Sequence, residues 1–539
     1  MPITNRHPLI RGASVTSLGT LASRGLGMLR DMATAALFGM SGGGVMDAFV
    51  LAFRIPNLFR RLFGEGALAA SYLPVLTGEL QRDRRAAWQL VSVGLVWLAV
   101  ILGLLVVVLE LGLAAIWLAW GDVPRVRLVT TLTAVMMPYV IFICLAAQVS
   151  ATLHALGRFG VAALSPAVLN IVWLLAVWGI APFFAPNQQA QAHVLALAVT
   201  IGGVLQLLAQ WPDLVAAGFR FDYAWANARD ALVRILRAMG PMVLGLTITQ
   251  INTLLDSLIA WGFSSGAAGP EQIAWLPGQL HYPMQQGAVA AIYFGERLYQ
   301  FPLGLLGLAV ATAIFPLLSR HAARGDRRRF GEDLTLGCRL VLFLGLPASA
   351  GLVLLAGPIT QLLFERGEFT ADDSVRAATM IAVYGSGVWA YCALHVLVRG
   401  YYALGDRITP MKIGAAIVVL NFALNMLLVW PFAEAGLALA TALTAGLQVL
   451  LLMTVFSRRQ SHLGWRPLIA TALRTSLATF LMTAAGWATL AWLPTAGGLT
   501  AEFVRVLLPL GVCTLVYFAA IAVFARNEFR MLYAVDKSS

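Results

Sequence analysis

Long apolar stretches separated by short polar segments run through the whole chain. The hydrocarbon core of a bilayer takes about 20 apolar residues of helix, and the stretches between polar breaks reach or exceed that length. The pattern therefore predicts about fourteen membrane-spanning helices. The predicted spans are residues 12–39, 44–77, 87–118, 128–156, 161–185, 192–217, 231–262, 287–319, 334–364, 374–404, 409–431, 434–456, 467–493 and 503–526.

Composition agrees with a membrane protein. Of the 539 residues, 60% are hydrophobic and only 12% are charged, whereas soluble domains carry about 25% charged residues. The net charge of +12 would also suit a nucleic-acid partner. We expect none, because the basic residues lie at the ends of the predicted spans. The fold class is an all-α polytopic membrane protein.

The distribution of Lys and Arg predicts the orientation of the chain, since basic loops stay in the cytoplasm. Basic residues follow the even-numbered spans, whereas the loops at 39–44, 181–191 and 493–498 have none. Two loops depart from this rule: the loop after the third span contains Arg125 and Arg127, and the loop FERGEFTADDSVR after the ninth span, at 364–376, carries both signs of charge. The pattern predicts that both termini are cytoplasmic.

An internal repeat divides the chain. LALAVTIGGVLQLL at 195–208 matches LALATALTAGLQVLL at 437–451, and ALAASYLPVL at 67–76 matches AVATAIFPLL at 309–318. The repeat predicts two pseudo-symmetric six-helix lobes, residues 1–218 and 219–459, followed by two further helices and a cytoplasmic tail in 460–539. Parallel repeats of this kind commonly enclose a substrate site at their interface.

One stretch has a distinctive sequence. SRGLGMLRD at 23–31, DAF at 47–49 and AFRIPNLFRRLFGEGA at 52–67 resemble the opening of the MurJ (MviN) family of bacterial lipid II flippases. That family belongs to the multidrug, oligosaccharidyl-lipid and polysaccharide exporters. The resemblance implies a transporter of the bacterial inner membrane. It would move lipid II, an undecaprenyl-diphosphate-linked sugar-pentapeptide, to the periplasmic leaflet by alternating access, in contact with membrane lipids.

Other functions stay open at this point. One alternative is a flippase for another undecaprenyl-diphosphate-linked glycan of the O-antigen type. A second is a non-transport scaffold whose partners are cell-wall synthesis proteins. The chain has no phosphate-binding loop, no HExxH zinc motif and no nucleophile elbow, so we expect that it is not an enzyme.

Charged residues at membrane depth are the candidate substrate site, because such residues are costly there unless they face a partner or water. Arginine matches phosphate with a planar fork of donors, as a diphosphate head group requires. The alternative is that these arginines pair with local carboxylates and only fix packing. The candidates are Arg24, Arg30, Arg54, Arg60, Arg61 and Arg297, with Asp31, Asp47, Asn57 and Glu65.

A second group of polar residues suggests a cation site. Asp256, Asn421, Asn425 and Thr441 offer oxygen ligands at membrane depth, and such ligands suit a hard cation. The resemblance implies sodium, although Asn425 stands where sodium-binding relatives have a carboxylate. The alternative is a polar contact between helices with a protonated Asp256. No cofactor other than sodium is expected.

Overall fold

The computed structural model describes residues 6–266, 272–273, 280–459, 463–494 and 498–524, without the side chains at 6–18, 20, 64–67, 69–70, 241, 244–246 and 248–249. These residues form helices and contain no strand beyond two isolated bridges, which confirms the predicted all-α class. The α-helices are α1 Arg6–Phe38, α2 Val45–Phe59, α3 Ala67–Arg82, α4 Arg84–Trp120, α5 Pro124–Met136, α6 Tyr139–Ala155, α7 Gly160–Leu175, α8 Gln188–Ala216, α9 Trp225–Gly262, α10 Ala288–Pro302, α11 Leu308–Ala323, α12 Arg327–Phe364, α13 Ala371–Ser386, α14 Val388–Ala403, α15 Ile408–Arg459, α16 Trp465–Trp492 and α17 Gly498–Phe524.

The described helices include 9 that are long and apolar enough to cross a membrane, or 10 if α13 and α14, bent by 41°, count as one span. The predicted membrane class is therefore confirmed, and the number fourteen stays a prediction. Part of the difference arises in α15, whose 52 residues extend about 78 Å at 1.5 Å per residue. That is more than twice the thickness of the hydrocarbon core, about 30 Å. The charged α1 and α9 are not among the 9.

The chain divides into two compact units, and the boundary lies inside α9. The first unit is Met1–Leu254 with Gly266–Ala268, and the second is Leu255–Ser265 with Gly269–Ser539. The predicted domain limits of 218 and 459 stay predictions.

Both units contain the same series of elements. In the first, α2 continues through a π-helical turn, Arg60–Gly66, into α3, and in the second, α10 continues through the π-helical turn Leu303–Gly307 into α11. The two turns fall at equivalent positions of the sequence repeat. A glycine with positive φ, Gly44 or Gly287, precedes each series. The structure thus repeats, down to a local departure from α-helix that is frequent at functional sites.

The first unit packs α1 against α7, and α8 against α6 and α7. One core cluster of this unit joins α3, α4 and α6 through Leu76, Leu90 and Val149. Inside it, the hydroxyls of Tyr72 and Thr152 lie 2.9 Å apart. Because a buried hydroxyl needs a partner, this pair fixes the rotation of α3 on α6.

The second unit is built around α12, which contacts α11, α13, α14, α16 and α17. The main cluster includes Leu334, Val396 and Leu452. A smaller cluster joins α12 to α16 and α17, where the Tyr517 hydroxyl donates to the Phe343 carbonyl at 2.5 Å. The last two helices are therefore packed onto α12 by buried apolar and polar contacts.

A break within α15 separates the two spans predicted at 409–431 and 434–456. Ala433 has φ 50° and ψ −136°, a conformation that essentially only glycine adopts without strain. Glu434, the residue after Ala433, forms an ion pair with Arg376 of α13. Nε of Arg376 donates to Oε1 of Glu434 at 2.8 Å, and Nη1 donates to the Gln286 carbonyl at 2.8 Å. A Cβ on Gly436 would collide with the Leu428 carbonyl. An ion pair and a required glycine therefore hold this break.

Ala433→Gly is expected to stabilise the protein by about 1 kcal/mol. The change relieves a backbone conformation that costs about 1–3 kcal/mol for a non-glycine residue, and the greater flexibility of glycine in the unfolded chain offsets part of that gain. Thermal unfolding of the detergent-solubilised protein measures it. The matched control is Ala435→Gly, inside the following helix, which should destabilise by about 0.5–1 kcal/mol. Equal destabilisation by both changes would contradict this description of the break.

Candidate functional site

Arg30 is the most completely bound of the candidate arginines. Its Nε and Nη2 donate to Oδ1 of Asp31 at 3.0 and 2.7 Å, and its Nη1 donates to Oδ1 of Asn170 at 3.1 Å. The guanidinium also lies 4.6 Å from the ring centre of Trp173. Arg30 and Asp31 are only 6% and 4% exposed. The pair is thus buried. The contacts of Arg30 are those of the alternative interpretation, in which the arginine pairs with a local carboxylate.

α7 supplies the rest of this arrangement. Trp173 donates from Nε1 to the Thr34 hydroxyl at 3.0 Å, and Asn170 donates from Nδ2 to the Ser23 carbonyl at 3.1 Å. The rings of Phe49 and Phe53 meet Trp173 edge to face at 5.4 and 5.3 Å. Since aromatic side chains of α2 hold the indole and the indole covers Arg30, three helices fix the orientation of this guanidinium.

Arg24 lies in a different environment on the same helix. It is exposed, about 9 Å along the axis from Arg30 at 1.5 Å per residue. A Cβ at the neighbouring Gly25 would meet no atom within 4 Å. Among the described side chains, Arg24 makes no ion pair. Its guanidinium is therefore available to a ligand in a way that the guanidinium of Arg30 is not.

Charged residues also line α2. Asp47 lies buried in its first turn, where a carboxylate is favoured by the helix dipole. Arg54 is 9% exposed and donates from Nη1 to the Thr253 carbonyl of α9 at 3.0 Å. This bond ties the middle of α2 to α9 within the first unit.

The end of α2 leads into the π-helical turn with two arginines. Nε of Arg60 donates to Oδ1 of Asn57 at 2.8 Å, and Nη1 of Arg61 lies 3.4 Å from Oε1 of Gln250. Both arginines are half-buried. These two bonds to side-chain amides orient the guanidinium groups of Arg60 and Arg61. The side chain of Glu65 lies outside the described residues.

Arg297 belongs to the second unit. Its Nη2 donates to the Tyr293 hydroxyl at 2.9 Å, and the guanidinium lies 4.7 Å from the ring centre of the same tyrosine. Tyr293 is one turn earlier on α10, so the pair is local to that helix. The grouping of Arg297 with the arginines of the first unit stays a prediction.

The four residues of the predicted cation site lie in one network, in which Asp256, Asn421 and Asn425 are buried and Thr441 is half-buried. Nδ2 of Asn425 donates to Oδ1 of Asp256 at 2.6 Å and to Oδ1 of Asn421 at 3.1 Å. Nδ2 of Asn421 in turn lies 3.4 Å from the Thr441 hydroxyl and 3.3 Å from that of Thr444. The network joins α9 to both halves of α15 within the second unit.

The donor set of this network suits a hard cation in part. Oδ1 of Asn425 is buried and has no hydrogen-bond partner among the described groups, and a buried oxygen of this kind is an available cation ligand. The Asn425 amide, however, already donates to Asp256. A carboxylate in place of Asn425 would add a second negative charge to the site, and a site with fewer negative ligands binds a cation more weakly.

Several of these partners were not predicted from the sequence. Asn170 and Trp173 are the clearest, because a lone asparagine inside the apolar run LNIVWLL needs a buried hydrogen-bond partner. That signal was present in the sequence, although it does not identify Arg30 as the partner. Arg376 and Glu434 were also missed, and they lie 58 residues apart.

Comparison with known proteins agrees with this architecture. Residues 34–508 match the family described as "Lipid II flippase MurJ". The chain is 35% identical over 463 residues to "Probable lipid II flippase MurJ" of Vibrio cholerae, covering 84% of this chain and 83% of that protein. It is 32% identical over 473 residues to "Lipid II flippase MurJ" of Burkholderia cenocepacia, covering 85% and 86%.

Solved structures show the same fold. A structure titled "Lipid II flippase MurJ, inward closed conformation" superposes with a TM-score of 0.75 at 22% identity, covering 96% of this chain and 99% of that one. An inward-facing multidrug transporter of the MATE family gives 0.65 at 13% identity, covering 81% and 94%. At these identities the superpositions establish the fold alone. The match over residues 34–508, and the relatives at more than 30% identity along most of their length, show that the chain belongs to the MurJ family.

Proposed function

We propose that this protein moves lipid II from the cytoplasmic to the periplasmic leaflet of the bacterial inner membrane by alternating access. The observation that carries the proposal is the match to proteins named lipid II flippase along more than 80% of both chains. The two structurally repeated units support it, since repeats of this type form the moving parts of alternating-access transporters. We also propose that both termini lie in the cytoplasm, because basic residues follow the even-numbered predicted spans.

The arginines give the proposal its chemistry. A diphosphate carries negative charge that must lose water on entering a low-dielectric site, and charge-assisted bonds from guanidinium compensate that loss. Arg24 is exposed, and the half-buried Arg60 and Arg61 are oriented by the side-chain amides of Asn57 and Gln250. We assign direct contact with the diphosphate to Arg24, Arg60 and Arg297, and the positioning of α1 to the Arg30 pair.

The chain does this without catalysis. The energy comes from the membrane potential, because an inward-negative potential opposes return of an anionic head group to the cytoplasm. A charge that crosses the membrane gains about 2.3 kcal/mol per 100 mV. The network around Asp256 acts as a polar contact between helices in this proposal, and sodium is not required.

Asp256→Asn is therefore expected to leave transport at half of the wild-type rate or more. Asparagine matches a protonated aspartate in size and hydrogen-bonding capacity. Transport is measured in vesicles at a constant membrane potential, with sodium and then with potassium, and Thr454→Val, which removes an exposed hydroxyl of α15, is the control. Loss of wild-type transport in potassium would contradict the proposal, and if Asp256→Asn removed that dependence on sodium, the site would be the cluster of Asp256, Asn421, Asn425 and Thr441.

Complementation tests the proposed function against its rivals. A bacterium whose own lipid II flippase can be depleted should grow when this chain is expressed, and it should not accumulate lipid II. A flippase for O-antigen units would restore O-antigen export but not growth. A scaffold would restore growth only where another flippase remains. Failure to restore growth, with the protein present at normal level in the membrane, would contradict the proposal.

A further inference from the structure

α14 exposes one narrow stripe, and that stripe is polar. Along Val388–Ala403 the exposed residues are His395 and Tyr402, with the half-buried Arg399 between them. These positions follow the i, i+4, i+7 spacing of a single helix face. A face toward acyl chains is apolar, as on α4, where Leu104 and Leu111 are 66% and 67% exposed. The α14 stripe therefore faces water.

The charge on this stripe has no carboxylate partner. Arg399 donates from Nη1 to the Thr312 hydroxyl of α11 at 2.8 Å, and it forms no ion pair with any described residue. Neither α11 nor α14 contains Asp or Glu. Arg399 lies four residues before the C-terminal end of α14. Side chains on a helix lean toward its N-terminus, so the guanidinium points back along α14 toward the middle of the membrane. A cation in such a place indicates a functional site.

Arg399 has donors left for a ligand. On α11, the small Thr312, Ala313 and Pro316 are exposed, as is the larger Phe315. A guanidinium has five N–H donors, and the Thr312 hydroxyl takes only one of them. His395, one turn earlier on α14, adds a ring nitrogen on the same side.

The fold itself does not require these charges. Both α6 and α14 end at the alanine of an Ala-Leu-Gly sequence whose glycine has a positive φ. Counting back from that shared end places Ala147 and Ala151 of the first unit, 248 positions earlier, at the sites equivalent to His395 and Arg399. The same helix series therefore forms with neither a histidine nor an arginine there. The polar stripe is a property of the second unit alone.

We propose that Arg399 and His395, supported by Thr312, bind an anionic oxygen group of the transported head group. The inference rests on the proposed function, because lipid II is what brings such a group to the protein. Two groups share this chemistry: the diphosphate, and the carboxylates of the peptide. Both accept charge-assisted hydrogen bonds from a guanidinium fork.

Binding of two lipids to the purified full-length chain tests this. The first is lipid II, and the second is the same undecaprenyl-diphosphate disaccharide without its peptide. Arg399→Gln should weaken lipid II binding about ten-fold or more, as expected when a charge-assisted bond is lost, and His395→Ala should weaken it less. Arg458→Gln is the matched control, since it removes the same charge from an exposed residue near the end of α15.

The pattern of losses identifies the group that is bound. Weaker binding of lipid II alone supports a peptide carboxylate, and weaker binding of both lipids supports the diphosphate. If Arg399→Gln does not fold, Arg399→Lys is measured instead and should give an intermediate loss. Unchanged affinity of the folded Arg399 and His395 variants for both lipids, beside a wild type that binds, would overturn this inference alone. A wild type that binds neither lipid would overturn the proposed function as well.

Discussion

Arg24→Ala is expected to abolish lipid II translocation while the protein stays folded at its normal level in the membrane. Arg24 is exposed and makes no ion pair among the described residues, so its removal leaves no buried charge behind. A charge-assisted bond to phosphate contributes about 1.5–3 kcal/mol, and its loss weakens binding by about 10-fold to 150-fold. Complementation of a depleted strain at matched expression measures the effect, and Arg60→Ala and Arg297→Ala should behave alike.

Two further variants sharpen this prediction. Arg24→Lys should restore activity only in part, because a point charge lacks the planar fork of donors. Arg158→Ala is the control, since Arg158 is an exposed arginine that donates to carbonyls at the end of α8, and it should complement fully. Full complementation by Arg24→Ala, Arg60→Ala and Arg297→Ala would remove the arginine site from the mechanism.

Arg30→Ala is expected to fail for a different reason, which is loss of the folded protein. Breaking a buried ion pair by removing one partner costs about 3–5 kcal/mol, because the other charge remains buried. Here Asp31, which is 4% exposed, would lose its ion-pair partner, and Trp173 would lose its contact with the guanidinium. The variant should be depleted from the membrane, and the purified remainder should unfold at a lower temperature.

The double variant Arg30→Ala with Asp31→Ala separates the ion pair from the cavity that Arg30 leaves. Removing both charges should recover part of the stability that either single change loses. The thermal midpoints of the wild type, both single variants and the double variant provide this comparison. A double variant as unstable as the sum of the single changes would show that the pair is not coupled as its 2.7 Å contact implies.

The helical membrane fold could be predicted from the sequence because it depends on local hydropathy, and the repeat of helices could be predicted because segments 242 residues apart match. Breaks within the spans could not. Residues 44–77 look like one helix in hydropathy, yet the structure places a π-helical turn at Arg60–Gly66 between α2 and α3. Hydropathy measures the preference of side chains for lipid, and it carries no information about the register of backbone hydrogen bonds.

The candidate site shows the same limit. The sequence places Arg30 beside Asp31, but adjacent residues on a helix do not ordinarily face each other. Their contact in the structure is accompanied by Asn170 and Trp173, about 140 residues away on α7. The stripe of His395 and Arg399 was missed because its meaning depends on which face of α14 neighbouring helices cover. Charged residues at membrane depth can be found in a sequence, whereas their partners require the fold.

Translocation of labelled lipid II in proteoliposomes that contain only the purified chain tests the central claim most directly. We expect the protein to carry lipid II from one leaflet to the other, and to do so faster when the membrane potential opposes return of the head group. The Arg24→Ala variant should not translocate lipid II. An undecaprenyl-diphosphate-linked O-antigen unit should move slowly or not at all in the same vesicles. Lipid II that crosses no faster than in protein-free liposomes, with folded protein present, would contradict the account.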